Sequence, residues 1–250
     1  MVVKFSGILC FMLLMFSVGF AQDDEEVYEW ERPRPDYNRG LNAYIIFPAF
    51  TISSPASINQ LLHANGYPVL PRGHLNLGFG LNYRINRFMV ITDLFWGNQL
   101  KTNPVDDPIN QTTRRVSWSG NFGFAYHVIR TDGGAVYPFI AYSFTETTLF
   151  LSRSTSSTSL DNILSNPGNS VHLNNYSNGL FIGIGMDAHD LFLEDSIIGS
   201  IRIGKRIQTN PIENWSSRYT QLSNSPLESF NYWQIQLSIG GAFNWDRKRH

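Results

Sequence analysis

Segments of about ten residues in which apolar and polar side chains alternate recur along most of this chain. In the clearest one, His74–Arg84, one face carries Leu75, Leu77, Phe79, Leu81 and Tyr83, and the other His74, Asn76, Gly78, Gly80, Asn82 and Arg84. A period of two residues is that of a β-strand whose two faces meet different surroundings. The same alternation occurs in Val116–Val128 and Trp233–Trp245, and more weakly in Leu41–Phe50, Phe88–Gly97, Val136–Thr147, Gly179–Ala188 and Ile197–Gln208.

The connections between these eight segments alternate in length. Short links lie at Ile85–Arg87, around Arg130–Gly134 and at His189–Asp195. Long polar links lie at Thr51–Gly73, which contains a predicted helix at Ser57–Ala64, and at Asn98–Thr113, Leu151–Asn178 and Thr209–Ser229. Short turns at one end and long loops at the other are typical of an antiparallel up-and-down transmembrane β-barrel. An even strand number places both termini at the short-turn end.

Alternation alone does not say which face points outward, because a soluble eight-stranded barrel of the lipocalin type has its apolar face inside. The polar faces here consist of Gly, Ser, Asn and Gln rather than Lys and Glu, which favours a packed polar interior over a water-facing surface. Only 16% of the chain is charged, against about 25% in soluble proteins. We therefore predict an all-β, eight-stranded transmembrane barrel with its apolar face towards lipid.

Large aromatic residues stand near the ends of the apolar faces, as in the aromatic girdles at membrane interfaces. The chain direction places one group near the outer rim: Phe47, Trp96, Trp118, Tyr142 and Trp233. A second group falls near the periplasmic rim: Tyr83, Phe88, Tyr126, Phe243 and Trp245. Lys205 lies on the outward face near the outer rim, where its amine can reach lipid phosphate.

The N-terminus has the features of a secretory signal peptide. Lys4 is followed by an apolar run, Ile8–Phe16, and by small residues before Gln22. We predict a signal peptide over residues 1–21, a periplasmic leader over 22–39, the barrel over 40–245 and a C-terminal tail over 246–250. The acidic and proline-containing leader is either an unstructured segment or a docking site for a periplasmic partner.

Composition excludes several function classes. Lys and Arg number 19 and Asp and Glu 20, so a broad nucleic-acid surface is not expected. The single cysteine, Cys10, excludes a disulfide scaffold and a multi-cysteine metal site. None of the six histidines has metal-ligand spacing, and we expect neither a metal nor a cofactor.

With its strand pattern and its closing strand Trp233–Trp245, the mature chain resembles the small outer-membrane β-barrel proteins of the OmpA-transmembrane, OmpX and OmpW kind. The resemblance implies residence in a bacterial outer membrane and contact with outer-membrane lipid and the barrel-assembly machinery. The chain departs from the family by continuing through Asp246–His250 after the last aromatic residue, and we expect no peptidoglycan-binding domain.

An eight-stranded barrel is just wide enough to be filled by side chains, so a general diffusion pore is not expected. The strand phase points five charged residues into the lumen: Arg84, Asp93, Asp187, Arg202 and Arg206. Unpaired charges there are costly, so we predict a lumenal ion-pair network in which Asp93 faces Arg202 at mid-height and Asp187 lies nearer the periplasm. The network either plugs the barrel or gates a narrow path for small solutes.

One stretch resembles a catalytic motif. Asn175–Gly179 is similar to the His-x-Ser-Asn-x-Gly stretch of the outer-membrane lipid A deacylases, which would make Ser177 the nucleophile. Asn175 stands where that family has its histidine, and a serine without a base is a poor nucleophile. The other interpretation is a loop-rich Ser/Asn segment that leads into a strand. We predict a non-enzymatic barrel with a structural or interaction role in envelope integrity, surface recognition or a secretion complex, with a narrow channel and a lipid A hydrolase as alternatives.

Overall fold

A computed structural model of the chain describes residues 39–102, 109–131, 133–155, 170–189, 197–210, 215–217 and 227–244. The elements in chain order are β1 (Arg39–Ser53), α1 (Ala56–Ala64), β2 (Gly73–Ile85), β3 (Phe88–Thr102), β4 (Ile109–Tyr126), β5 (Ile129–Thr131), β6 (Gly134–Thr155), β7 (Ser170–Ala188), β8 (Ile197–Gln208) and β9 (Tyr232–Asn244). The predicted signal peptide, nearly all of the predicted leader, Trp245 and the C-terminal tail lie outside the described residues. No helix in these ranges is long and apolar enough to cross a membrane.

Eight long antiparallel strands close into a barrel, as predicted. Each long strand pairs with the next one along the chain, and β1 pairs with β9 from Gly40–Asn244 to Ser53–Tyr232. The short β5 pairs only with the start of β6, while β4 pairs directly with β6. We call the end with the short turns the turn end and the opposite end the outer end.

The turn end begins with a two-residue hairpin. Ile85 pairs with Phe88, and only Asn86 and Arg87 connect β2 to β3. Asn86 has a φ of 56°, a left-handed conformation that asparagine adopts more readily than most residues. The start of β1 and the end of β9 lie at this same end, as the even strand number predicts.

Several strands extend further at the outer end than the alternation predicts. β3 continues to Thr102 and β4 starts at Ile109, so much of the loop predicted over Asn98–Thr113 is strand. The loop predicted over Leu151–Asn178 is likewise shortened, because β6 continues to Thr155 and β7 starts at Ser170. The predicted bounds of both loops were wrong. Backbone hydrogen bonding between the strands continues beyond the region in which one strand face contacts lipid, and the alternation of apolar and polar residues is lost there. The predicted helix is confirmed, with α1 starting one residue earlier.

The structure resolves which strand face points outward. Side chains on the apolar faces are exposed around the barrel, while their sequence neighbours point inward and are buried. The exposed belt includes Ile45, Phe79, Leu94, Phe122, Ile140, Ile182, Ile203 and Ile239. A continuous apolar surface of this extent marks a membrane or interaction surface rather than a water-facing one. The arrangement is that of a transmembrane barrel and the inverse of a lipocalin.

The interior is less polar than the alternation of β2, β4 and β9 suggests. One buried apolar cluster contains Met89, Ile91, Phe139 and Phe181, and a second contains Tyr44, Ile46, Phe95 and Ile198. Some of these large side chains occupy the space opposite glycines. A Cβ atom at Gly78, for example, would lie 2.6 Å from Phe95 Cδ1. Glycines on some strands therefore leave space that large inward side chains on other strands fill, which gives the dense packing of protein interiors.

Candidate functional site

A buried ion pair crosses the lumen at mid-height. Arg202 on β8 donates hydrogen bonds from Nη1 to both carboxylate oxygens of Asp93 on β3, at 3.0 and 2.9 Å. Each side chain is only 2% exposed. Asp93 has room to reach across because its partner on β2 is Gly80, whose Cβ position would lie 2.7 Å from the carboxylate. The structure thus brings together the two residues whose strand phases point them at each other.

Tyr137 on β6 extends this pair towards the turn end. Its hydroxyl accepts a hydrogen bond from Arg202 Nε at 3.0 Å and donates one to Asp187 Oδ1 at 2.7 Å. The guanidinium also lies near the Tyr137 and Tyr44 rings, with Cζ 5.9 and 6.0 Å from their centroids. Asp187 is therefore joined to the mid-height pair through a neutral hydroxyl. Sequence reasoning did not find Tyr137, although its inward phase opposite Gly185 could have indicated it.

Arg206, the next inward arginine on β8, is fully buried, and the described residues give it no carboxylate partner. It donates to Ser143 Oγ at 3.2 Å, to the Phe230 carbonyl at 2.6 Å, and to the carbonyl and hydroxyl of Ser177 at 2.8 and 3.0 Å. These are neutral acceptors on β6, β7 and the last outer link. Arg206 thus connects three parts of the barrel rather than joining the carboxylates.

The remaining predicted charges lie near the turn end. Arg84 is buried, with 1% of its surface exposed, and it acts electrostatically on His127 and His189 together with Asp187 and Arg130. His189 lies in the turn after β7, and its burial lowers its pKa to about 4, with Asp187 acting in the opposite direction. Burial also lowers the pKa of His127. This end of the lumen therefore favours neutral imidazoles.

Ser177 does not have the surroundings of a nucleophile. Its side chain is fully buried in the lumen and its hydroxyl accepts a hydrogen bond from Arg206. His172 lies five residues away with its ring 4.6 Å from that of Phe150, and by strand parity it points to the opposite face of β7. A guanidinium cannot remove a proton from the hydroxyl. Among the described residues, no group of three or more His, Cys, Asp or Glu side chains is placed to hold a metal ion.

The described girdle residues lie on the outer face of the barrel in two rows. Trp96 and Trp118 are register partners on β3 and β4, and so are Phe88 and Tyr126, whose ring centroids are 5.1 Å apart. The two rows are eight residues apart on each strand, which is about 26 Å along the strand and about 20 Å across a bilayer at a tilt of about 40°.

The other predicted girdle residues that the structure describes are mostly exposed: Phe47, Tyr142, Trp233 and Phe243 are exposed and Tyr83 is partly buried. The amine of Lys205 lies 5.8 Å from the Trp233 ring.

The outer links and strand extensions form a third apolar cluster that lies beyond the lumen. It contains Ile58, Leu62, Leu70, Leu149, Leu173 and Trp215, with Tyr67, Leu151 and Phe230 packed against it. Glu228 in the last outer link accepts the Ile58 N–H at 2.9 Å and so caps α1 in the first. Burial raises the pKa of Glu228, while the backbone N–H groups of Ile58, Ser57 and Ala56 act to lower it. We call this assembly, with α1 and the outer parts of β6 and β7, the outer module.

The exposed apolar belt, the paired aromatic rows and the filled lumen define the class of this chain as an eight-stranded transmembrane β-barrel. No protein-family model and no curated protein matches it. Solved structures to which it is similar include the attachment invasion locus protein Ail of Yersinia pestis, with a TM-score of 0.45 and 11% identity over 82% of this chain and 99% of that one.

Two further small barrels are similar. The outer membrane protein OprG from Pseudomonas aeruginosa has a TM-score of 0.41 and 10% identity over 83% of this chain and 95% of that one. Neisserial surface protein A has a TM-score of 0.35 and 11% identity over 83% of this chain and 97% of that one. The geometry of this chain itself defines its class.

Proposed function

We propose that this chain is an integral protein of a bacterial outer membrane, in which a plugged barrel carries an interaction surface on the cell exterior. The apolar belt between two aromatic rows supports the membrane location. A filled lumen supports an anchoring role for the barrel, because the space at mid-height is occupied by buried side chains such as Arg202 and Tyr137.

The observation that carries the interaction role is the outer module. β6 and β7 pair outward as far as Ser152 and Ser170, well beyond Tyr142 and Leu180 in the membrane-facing part. The last outer link pairs with this extension, because Asn174 and Ser216 exchange backbone hydrogen bonds of 2.7 and 2.8 Å. Loops held on a rigid scaffold are where proteins usually place their binding sites. A membrane anchor alone has no need of an ordered apolar cluster above the bilayer.

The two alternatives have less support. A narrow channel would need a continuous path past Asp93, Arg202 and Tyr137, which bond to one another across the lumen. A lipid A hydrolase would need a base beside Ser177, where the structure has Arg206.

The test removes the part of the outer module that β6 and β7 contribute and keeps the barrel. In the trimmed variant, residues 149–173 are replaced by an Asn-Gly turn between Thr148 and Asn174, which are register partners. The matched control alters the opposite end, with Arg87→Gln in the β2–β3 turn. Both are compared with the wild-type protein in cross-linking capture from detergent-solubilised envelope, after heat-modifiable migration has shown that each barrel is folded. We expect a captured component that the control retains and the trimmed variant loses; identical capture by all three would contradict the proposal.

A further inference from the structure

A small cavity lies inside the barrel between the mid-height ion pair and the outer module. It has a volume of about 50 Å³, and its walls come from β1, β2, β4, β6, β9 and the first and last outer links. Ser119 lines it two residues above Asn121, which is the register partner of Asp93. The cavity therefore lies on the outer side of the Asp93–Arg202 pair.

One wall carries an arginine whose charge is not neutralised by any carboxylate that the structure describes. Arg115 on β4 is 8% exposed and points inward, between Gln99 of β3 and Leu149 of β6. Its Nη2 atom is buried without a hydrogen-bond partner, and no carboxylate in the described ranges pairs with the guanidinium. The neighbouring Gln99 does not supply a partner, because its amide oxygen is also buried without a hydrogen bond. A buried cation without a partner is costly, so the site is incomplete as the described residues build it.

The other titratable groups that line the cavity are His74, Glu228 and Tyr232, and of these only Glu228 is an acid that can carry a negative charge near neutral pH. Glu228 is directed to α1, where its carboxylate accepts backbone N–H groups, and it forms no ion pair with Arg115. His74 contributes a ring nitrogen, Nδ1, that is also buried without a hydrogen-bond partner. The one carboxylate at this site is thus engaged elsewhere, and the guanidinium remains the dominant charge.

Hydroxyl groups make up much of the remaining wall. Ser53, Ser117, Ser119 and Thr147 line it, and Ser53 Oγ is a further buried atom without a hydrogen-bond partner. A guanidinium fork beside several hydroxyl donors is the arrangement that binds oxyanions. A volume of about 50 Å³ holds one small ion or a few waters. Water can satisfy the hydrogen bonds but leaves the guanidinium charge uncompensated.

We propose that this cavity binds a small inorganic oxyanion, with phosphate as the representative ligand, through Arg115 and the surrounding hydroxyls. The site is independent of the surface role proposed above, because it lies within the lumen and requires no protein partner. Arg114 provides an internal comparison: it is exposed on the outer face, where its Nε donates to Asn98 Oδ1 at 3.0 Å and its guanidinium lies 5.9 Å from the Phe150 ring.

The experiment measures binding of inorganic phosphate to the folded, full-length mature protein in detergent, by equilibrium dialysis and by the shift of the thermal unfolding midpoint in a chloride-free buffer. A ligand that binds only the folded state raises that midpoint in a saturable manner. We expect saturable binding by the wild type and by Arg114→Gln, and about tenfold or greater weakening in Arg115→Gln, since one charged hydrogen-bonding partner is lost.

Thr147→Val keeps the side-chain shape and removes one hydroxyl, so it tests the site even if Arg115→Gln fails to fold; we expect weaker binding. A parallel titration with chloride separates ligand classes. Absence of saturable phosphate binding to the wild type would overturn the proposal, as would equal binding by Arg115→Gln and Arg114→Gln or tighter binding of chloride than of phosphate.

Discussion

Arg202 and Asp93, which are 109 residues apart in the chain, meet at the centre of the lumen with Nη1 within 3.0 Å of both carboxylate oxygens. Removing one member of such a pair leaves the other as a buried, unpaired charge, at a cost of about 3–5 kcal/mol. We therefore expect Asp93→Ala to lower the free energy of unfolding by that amount in urea titrations of the detergent-solubilised barrel.

The control for this substitution is Lys205→Met on the same strand as Arg202, because Lys205 is exposed on the outer face. A change within about 1 kcal/mol is expected there. The double variant Asp93→Asn/Arg202→Met should recover part of the loss, because neither position of the pair is left as an unpaired charge. An Asp93→Ala barrel as stable as the wild type would show that the pair contributes nothing.

The side chains that fill the lumen at mid-height should also determine the conductance of the barrel. In planar bilayers we expect the wild-type barrel to produce no channel openings, because Arg202 and Tyr137 fill the lumen at mid-height. The double variant Arg202→Ala/Tyr137→Ala removes both side chains and should produce small, discrete openings. Regular openings of the wild-type protein would restore the narrow-channel interpretation.

The contact between Tyr137 and Gly185 gives a packing prediction. A Cβ at Gly185 would lie 2.3 Å from Tyr137 Cε2, so Gly185→Ala must displace the ring that bridges Arg202 and Asp187. We expect a loss of about 1–3 kcal/mol, which is typical of overpacking. In a Tyr137→Ala background the same substitution should cost much less; an equal cost would place the strain elsewhere.

Stability should depend on pH through His189. Its pKa is lowered to about 4 in the folded protein, against about 6.5 in the unfolded chain, so the unfolded state binds the proton first as pH falls. The contribution is complete above about pH 6.5 and is lost as the pH decreases to about 4. We expect the urea midpoint to decrease over this range and His189→Gln to flatten the decrease.

The matched control for His189→Gln is the same substitution at His63, which is exposed on α1 and keeps the His189 contribution in place. If His189→Gln retains the full wild-type decrease in the urea midpoint, another group is responsible.

The apolar belt predicts which tryptophans contact lipid. Trp96, Trp118 and Trp233 are exposed on the barrel wall, whereas Trp215 is buried in the outer module with 2% of its surface exposed. In single-tryptophan variants reconstituted with brominated lipids, the first three should be quenched and Trp215 should not. Quenching of Trp215 comparable to that of Trp118 would place the outer module in the bilayer.

The sequence predicted the barrel well where lipid on one face and packed side chains on the other impose a period of two. β2 and β4 carry this pattern clearly, and the phase of Asp93 and Arg202 was sufficient to predict that they face each other. The pattern disappears in Val136–Ile140, where Tyr137 and Phe139 point inward and are as apolar as their lipid-facing neighbours. Nor does it extend above the membrane, where apolar residues such as Leu149 and Leu173 lie on the inward faces of β6 and β7 and pack in the outer module. The roles of Tyr137, Arg115 and Glu228 depend on contacts between distant strands, which no local pattern encodes.

Glu228 and Ile58, which join the last outer link to the first, are 170 residues apart in the chain. The N-terminal cap of α1 therefore forms only after nearly the whole chain has been inserted and the link between β8 and β9 is in place. Completion of the outer module is thus tied to the step that closes the barrel. A stalled or truncated barrel would display an unfinished surface, which a conformation-specific antibody against α1 could distinguish on intact cells.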